Sequence, residues 1–121
     1  MERIETTILR NLLYDEEFAR KVIPFIQSDF FEERSEKIIF DEIVSFITKY
    51  DSCATLEALN IEVENRTDLT DTELNEVREI NRSLDDSPVD YQWLTDTTEK
   101  WCRDRAIYLA CLLYTSDAAD E

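Results

Sequence analysis

Carboxylates are the most abundant groups in this chain that could do chemistry. Of its 121 residues, 29 are Asp or Glu, 13 are Lys or Arg, and none is His. Short acidic runs lie at residues 15–17, 32–33 and 85–86. Runs of this kind could assemble a carboxylate metal site, but di-metal sites in helical bundles normally add histidine ligands. We therefore interpret the acidic runs as helix caps and solvated surface, and we predict no metal site.

The two residue types that are missing exclude several classes of enzyme. Glycine is absent, and a phosphate-binding loop needs residues that tolerate positive φ and close approach of the backbone. Histidine is also absent, which removes the usual general base and the Ser/His/Asp and Cys/His triads. The sequence therefore predicts no catalytic residue and no bound cofactor in this chain.

The three cysteines carry the remaining candidate chemistry. Cys53, Cys102 and Cys111 lie far apart, and no Cys-x-x-Cys pair is present. This spacing favours reduced thiols that contribute to packing over disulfides or zinc ligands, and it indicates a reducing cytoplasm. The chain also lacks an apolar run long enough for a signal peptide or a membrane span, so no membrane association is expected.

The charge balance bears on nucleic-acid binding. The formal net charge is −16, and so negative a surface repels phosphate. Lys100, Arg103 and Arg105 form a local basic cluster that could contact DNA or an acidic partner. The alternative is a solvated face of a helix, where cations late in the helix are favoured by its dipole. We expect no direct binding of DNA by this domain alone.

Apolar residues recur at steps of three and four along most of the chain, which predicts an all-α bundle of about six helices. Asp15 is the predicted cap of the second helix, and Pro24 should kink or end that helix near Ile23. Ser35 precedes a third helix with so broad an apolar face that it should be central and the most buried. Three aromatic residues near these helices are predicted to lie in the core: Phe30, Phe31 and Phe40.

The second half of the chain contains three further helix starts. Thr55 is the predicted cap of a fourth helix, although Ile61 and Val63 could also support a strand. Thr70 and Glu73 have the spacing of a capping box, which predicts a fifth helix. A long sixth helix is predicted from three consecutive signals, a cap, a proline at the first helical position and an acid at the third: Ser87, Pro88 and Asp90.

The sixth helix carries four large apolar residues that could form an interface between subunits: Trp93, Trp101, Ile107 and Tyr108. Aromatic residues are enriched in the cores of interfaces. The alternative is that they complete the core of this domain. We expect Trp93 to be internal, and Ile107 and Tyr108 to lie at the interface.

Residues 111–121, which read CLLYTSDAADE, resemble the translation of a sequencing adaptor. We expect this tail to be an artefact, and a natural C-terminus is the alternative. The fold and the function are therefore argued from residues 1–110.

The segment LLYDEEFARKVIPFIQSDFFEERSEKIIFDEI, residues 12–43, resembles the amino-terminal domain of DnaB-type replicative DNA helicases. Phe18 and Val22, then the Asp-Phe-Phe connector at residues 29–31, then Ile39 and Phe40 follow the order of that family. Two later segments look similar to the helicases of T4-like bacteriophages: TLEALNIEVEN at residues 55–65 and DSPVDYQWLTDTTEKWCRDRA at residues 86–106. In the latter segment the matching positions are Trp93, Glu99, Lys100, Arg105 and Ala106.

The resemblance, which covers about residues 3–110, implies a scaffold rather than an enzyme. It implies a globular amino-terminal helicase domain at residues 1–87 and the start of a helical hairpin at residues 88–110. Such domains pair through their hairpins in the helicase ring and offer a docking face to primase and to the helicase loader. ATP, Mg²⁺ and DNA unwinding would belong to a motor domain that is absent here, in the cytoplasm of an infected bacterium.

A different class of function would use the acidity itself. A small acidic phage protein could mimic DNA and occupy a host nucleic-acid-binding protein. Such a mimic should space its carboxylates along one face, as phosphates are spaced in DNA, whereas these acids are predicted at helix caps and around an amphipathic core.

Overall fold

Within residues 3–120, six α-helices and two short 3-10 turns make up the fold. The computed structural model describes the backbone of residues 3–120 and the side chains of residues 3–112. The helices are α1 (Ile4–Tyr14), α2 (Glu16–Val22), α3 (Arg34–Tyr50), α4 (Leu56–Glu64), α5 (Asp71–Ser83) and α6 (Tyr91–Asp120), with 3-10 turns at Ile23–Phe25 and Ser28–Phe30. No strand occurs within residues 3–120. The predicted all-α fold is confirmed, and the alternative of a strand at Ile61 and Val63 is wrong because both residues lie in α4.

Three helices begin at the cap residues that the sequence predicted. The Asp15 carboxylate accepts a hydrogen bond from the backbone N–H of Phe18 at 3.0 Å and so caps α2. The Thr55 hydroxyl accepts from the N–H of Ala58 at 3.0 Å at the start of α4. Two reciprocal bonds of 3.1 and 3.0 Å between Thr70 and Glu73 complete the capping box of α5. These signals succeed because each is a contact between residues three apart in sequence.

The predicted start of α6 is wrong by three residues. The helix begins at Tyr91, and the Asp90 carboxylate caps it by accepting from the N–H of Trp93 at 2.7 Å. Ser87 is not the cap, because its hydroxyl donates to Asp85 at 2.7 Å. Ser87 also contacts α1, because Arg10 donates a hydrogen bond to the backbone carbonyl of Ser87 at 2.7 Å. Ser87 and Pro88 therefore lie before the helix.

Helix α3 is central, but it is not the most buried helix. It packs against α1, α4 and α5, and it begins at Arg34, so that Ser35 lies in its first turn rather than before it. Its last residue, Tyr50, is 53% exposed. In α1, by contrast, every residue from 7 to 13 is buried. The prediction of the most buried helix is wrong because the broad apolar face of α3 extends beyond the elements that cover it.

An aromatic cluster attaches α6 to the rest of the bundle. The predicted core positions Phe30, Phe31 and Phe40 are confirmed, each at most 4% exposed. The ring of Trp101 packs against Phe31 with centroids 5.0 Å apart and against the edge of Phe30 at 5.9 Å. Phe31 in turn packs on Phe40 of α3 at 5.2 Å. The connector at residues 28–31 is therefore a surface against which α6 packs.

Candidate interaction surface

The first half of α6 belongs to the core of the domain. Leu94, Thr98 and Trp101 are at most 8% exposed, and their spacing of four and three residues places them on one face of the helix. The Trp101 side chain is thus in the domain's own core. This packing favours the alternative that Trp101 completes the core of the domain, and the interface role stays a prediction.

Trp93 is more exposed than the sequence predicted. Its side chain is 49% exposed, although it was predicted to be internal. Each residue of an α-helix advances the direction of the side chain by about 100°. Since Leu94 points into the core, Trp93 lies at the edge of the buried face, where only part of its ring is covered.

The second half of α6 extends beyond the bundle. We call residues 106–110 the distal segment. Ile107 is 57% exposed and Tyr108 50%, while Leu109 is partly buried. Exposed apolar side chains in a group favour association, because removing apolar surface from water gains about 25 cal/mol per Å². The structure places Ile107 and Tyr108 on an accessible surface, and their role in an interface stays a prediction.

The predicted basic cluster does not form one positive surface. Lys100 Nζ lies 2.7 Å from a carboxylate oxygen of Asp104, and Arg103 Nη2 lies 3.5 Å from one of Glu99. Each cation is therefore paired with an acid one turn away. Arg105 points about 140° away from Lys100 around the helix. A contact of these cations with DNA or with an acidic partner stays a prediction.

Arg105 has a structural role that the sequence reading missed. Its Nε donates to the backbone carbonyl of Phe30 at 2.6 Å, and its guanidinium lies 3.4 Å from Glu32. The same guanidinium lies 4.8 Å from the centroid of the Tyr108 ring. Arg105 thus joins the connector to the first residues of the distal segment. No local pattern announces this contact, because Phe30 is 75 residues away.

Two features of the described side chains bear on the chemistry that this chain could do. Within residues 3–112 no group of three or more Cys, Asp or Glu side chains could hold a metal ion. Burial raises the pKa of the Cys102 thiol to about 11, so this thiol is a neutral packing group rather than a nucleophile. Among the described residues, no helix combines the length and the apolar character that crossing a bilayer requires.

Comparison with known proteins relates this chain to a replicative helicase. The chain is 37% identical over 103 residues to the DnaB-like replicative helicase of Enterobacteria phage T4. The aligned region covers 85% of this chain and 22% of the T4 protein, so the chain spans about a fifth of the length of the curated relative that it matches. No family model matches the chain. The resemblance to DnaB-type replicative helicases that the sequence indicated is confirmed.

Proposed function

We propose that this chain, given its similarity to a DnaB-like replicative helicase, is a non-catalytic scaffold domain from the amino-terminal part of such a helicase. In this proposal its helices take part in assembling the helicase ring and offer a surface to primase and to the helicase loader. The observation that carries the proposal is the distal segment. It presents two exposed large apolar side chains, Ile107 and Tyr108, on a helix whose first half is fixed in the core.

The arrangement of α6 supports self-association. Trp101 and Arg105 fix the orientation of the helix, so the distal segment leaves the bundle in one defined direction. An interface built on a rigid helix loses little conformational entropy when it forms. The distal segment would pair with a second copy through a helical hairpin, and the paired copies would repeat around the ring.

Chemistry would occur elsewhere in the intact protein. A motor that unwinds DNA with ATP and Mg²⁺ needs a phosphate-binding loop, and this chain contains no glycine to build one. The chain alone should neither hydrolyse ATP nor unwind DNA, and the assembled helicase would act in the cytoplasm of the infected bacterium. ATP turnover that co-purifies with the chain at constant specific activity through several orthogonal columns would contradict this.

The charges favour a scaffold over a nucleic-acid mimic. A mimic needs a row of free carboxylates, whereas acids in several helices here form ion pairs. Glu16 pairs with Arg20 at 2.8 Å, and Glu64 pairs with Arg78 at 2.6 Å. These pairs reduce the free negative charge on the faces that a mimic would use.

The test uses the intact helicase with one added charge. Ile107→Asp places a carboxylate in the distal segment, and Thr72→Asp places the same charge at an exposed position in the first turn of α5. We expect Ile107→Asp to reduce the ring to smaller species in light scattering after size exclusion, and Thr72→Asp to leave the ring intact. Rings of unchanged mass and stability in the Ile107→Asp protein would overturn the role of the distal segment.

A second measurement addresses partners. The immobilised chain is incubated separately with primase and loader from a T4-like phage and with host DNA-binding proteins. Retention of primase or loader supports the scaffold. Retention of a host nuclease or repressor alone would favour the mimic and contradict the proposal.

A further inference from the structure

The connector between α5 and α6, residues 84–90, folds against α1, and we call it the strap. Leu84 is 2% exposed in the hydrophobic core, and Val89 packs partly buried against that core. The residues between them are exposed. The Asp85 carboxylate folds this exposed part into a turn, because it accepts from the backbone N–H of Ser87 at 3.2 Å and from the Ser87 hydroxyl at 2.7 Å. The strap is therefore a turn with an apolar anchor at each end.

Two side chains of α1 bind the backbone of the strap. The Tyr14 hydroxyl donates to the carbonyl of Leu84 at 3.3 Å. The Arg10 guanidinium donates to the carbonyl of Ser87 at 2.7 Å. Positions 10 and 14 lie one turn apart on the same face of α1. The two bonds join residues that are 70 and 77 positions apart, so they attach the strap to a helix that is remote along the chain.

The acceptors of both bonds are main-chain carbonyls. A carbonyl moves only when the backbone moves, whereas a side-chain acceptor can rotate about its own bonds. Arg10 is 7% exposed, and burial of an arginine is uncommon unless acceptors compensate it. The two donors therefore constrain the path that the chain takes from the end of α5 to the start of α6.

The start of α6 is the place where this constraint best controls the direction of the helix. Trp101 and Arg105 hold α6 further along, and they are about 6 Å apart on its axis. Tyr91, the first residue of α6, lies about 15 Å from Trp101. A displacement of a given size turns a rod through a smaller angle when it acts farther from the pivot. Contacts at the start of α6 therefore define its direction more accurately than contacts near Trp101.

The distal segment lies on the other side of this pivot. Residue 110 is about 14 Å beyond Trp101, nearly as far as Tyr91 lies before it. A shift at the start of α6 therefore moves the distal segment in the opposite direction, and with it the exposed side chains of Ile107 and Tyr108.

We propose that Arg10 and Tyr14 are positioning residues: by holding the strap on α1 they set the direction of α6, and so the place at which the distal segment meets a second copy of the chain. The second half of this inference rests on the proposed scaffold function, because only an assembling domain uses that direction. The first half, the control of α6 by α1, is a property of the chain alone.

The test measures the direction of α6 in the full chain from N–H residual dipolar couplings in a weakly aligning medium. Tyr14→Phe with Arg10→Met removes both donors and keeps the ring and the length of the side chains. The matched control, Tyr50→Phe with Arg78→Met, removes the same groups from α3 and α5, where Arg78 joins α5 to α4 through Glu64 at 2.6 Å.

We expect α6 to turn by about 10° relative to α1–α5 in the double variant, and not in the control. One water molecule between α1 and the strap moves the start of α6 by about 3 Å, which is this angle over about 15 Å. If the double variant does not fold, Tyr14→Phe alone decides, because it removes only a hydroxyl from a side chain that is 41% exposed. It should turn α6 in the same sense by a smaller angle. Couplings of α6 that fit the wild-type direction would overturn the proposal.

Ring assembly in the intact helicase separates this inference from the scaffold function. The double variant should reduce the ring to smaller species in light scattering, and its control should not. If α6 turns but Ile107→Asp leaves the ring whole, the positioning of α6 stands and the role of the distal segment fails. If Ile107→Asp breaks the ring but α6 does not turn, the scaffold stands and the positioning is overturned. Whole rings in the double variant, where Ile107→Asp breaks them, would overturn the link between direction and assembly.

Discussion

The two halves of α6 lie on one continuous helix but in different surroundings. Between residues 91 and 105, Leu94, Thr98 and Trp101 are buried against α2 and the connector at residues 28–31. In the distal segment, Ile107 and Tyr108 are half exposed or more. Both halves carry aromatic and aliphatic residues at helical spacing, so composition does not distinguish them. The difference depends on whether the rest of the chain supplies a surface for the helix to pack on.

A second contrast between the halves concerns charge. The side chain of Arg105 is 14% exposed, far less than Ile107 at 57%, although arginine is among the residues least often buried. Arg105 is covered because the carbonyl of Phe30 and the carboxylate of Glu32 accept its N–H groups. Whether Arg105 and Ile107 are buried therefore depends on whether the rest of the chain provides a partner for the side chain, and not on how hydrophobic the side chain is.

The largest effect should come from the two tryptophans. Trp101→Ala empties a packed site between Phe30 and Phe31 and should lower the free energy of unfolding by about 3–5 kcal/mol. Trp93→Ala removes the same side chain from a half-exposed site and should cost about 1 kcal/mol or less. Urea denaturation followed by circular dichroism measures both. Equal losses would contradict the placement of Trp101 in the packed core and of Trp93 at its edge.

The next effect compares two arginines two residues apart. Arg105→Ala leaves the carbonyl of Phe30 without its side-chain donor and should cost about 1–3 kcal/mol. Arg103→Ala breaks only an exposed pair with Glu99 and should change stability by about 0.5 kcal/mol or less. Thermal unfolding of the two variants gives the comparison. A larger loss for Arg103→Ala would contradict the role assigned to Arg105.

A smaller effect concerns the start of α6. Asp90→Ala removes the cap that accepts from the N–H of Trp93 and should cost about 1 kcal/mol. Ser87→Ala removes a hydroxyl that bonds only to Asp85 and should cost a few tenths of that. Chemical denaturation of both variants distinguishes the two candidate caps. A larger loss for Ser87→Ala would restore the start predicted from sequence.

The smallest effect is a pair of opposite pH dependences. Burial raises the pKa of Glu36 above its ordinary 4.5, even though Arg3 lies 3.5 Å away. A hydrogen bond from the backbone of Thr70, with a further one from Arg34, holds the pKa of Glu73 below 4.5. The contribution of Glu36 is therefore fully present below about pH 4.5 and is lost as the pH rises through its folded pKa. The contribution of Glu73 is present above about pH 4.5 and is lost as the pH falls.

Two variants measure these dependences. The stability of wild type minus that of Glu36→Gln should fall as the pH rises from 4.5. The same difference for Glu73→Gln should fall as the pH drops below 4.5. Unfolding curves in urea across this range give both differences. Parallel trends for the two variants would show that Glu36 is not buried in the packed region as the structure places it.

Features that depend on contacts between residues close in sequence could be predicted, whereas features that depend on distant residues could not. Asp15, Thr55 and Thr70 were identified as caps because a cap and its N–H partner lie within one turn. Trp93 was expected to be internal but is half exposed, since periodicity alone did not show which side of α6 would meet the connector. Lys100 and Arg105 were grouped by proximity in sequence, although the helix separates them by about 140°.

The amino-acid sequence by itself determined that this protein is helical, where three of its helices begin, and that it lacks the glycine and histidine of common catalytic sites. Those properties depend on local hydrogen bonds and on composition. Only the tertiary structure decided that α6 is buried in its first half and exposed in its second, and that Arg105 is covered. These properties depend on Phe30 and Phe31 meeting residues more than 60 positions away, and no local pattern encodes such a contact.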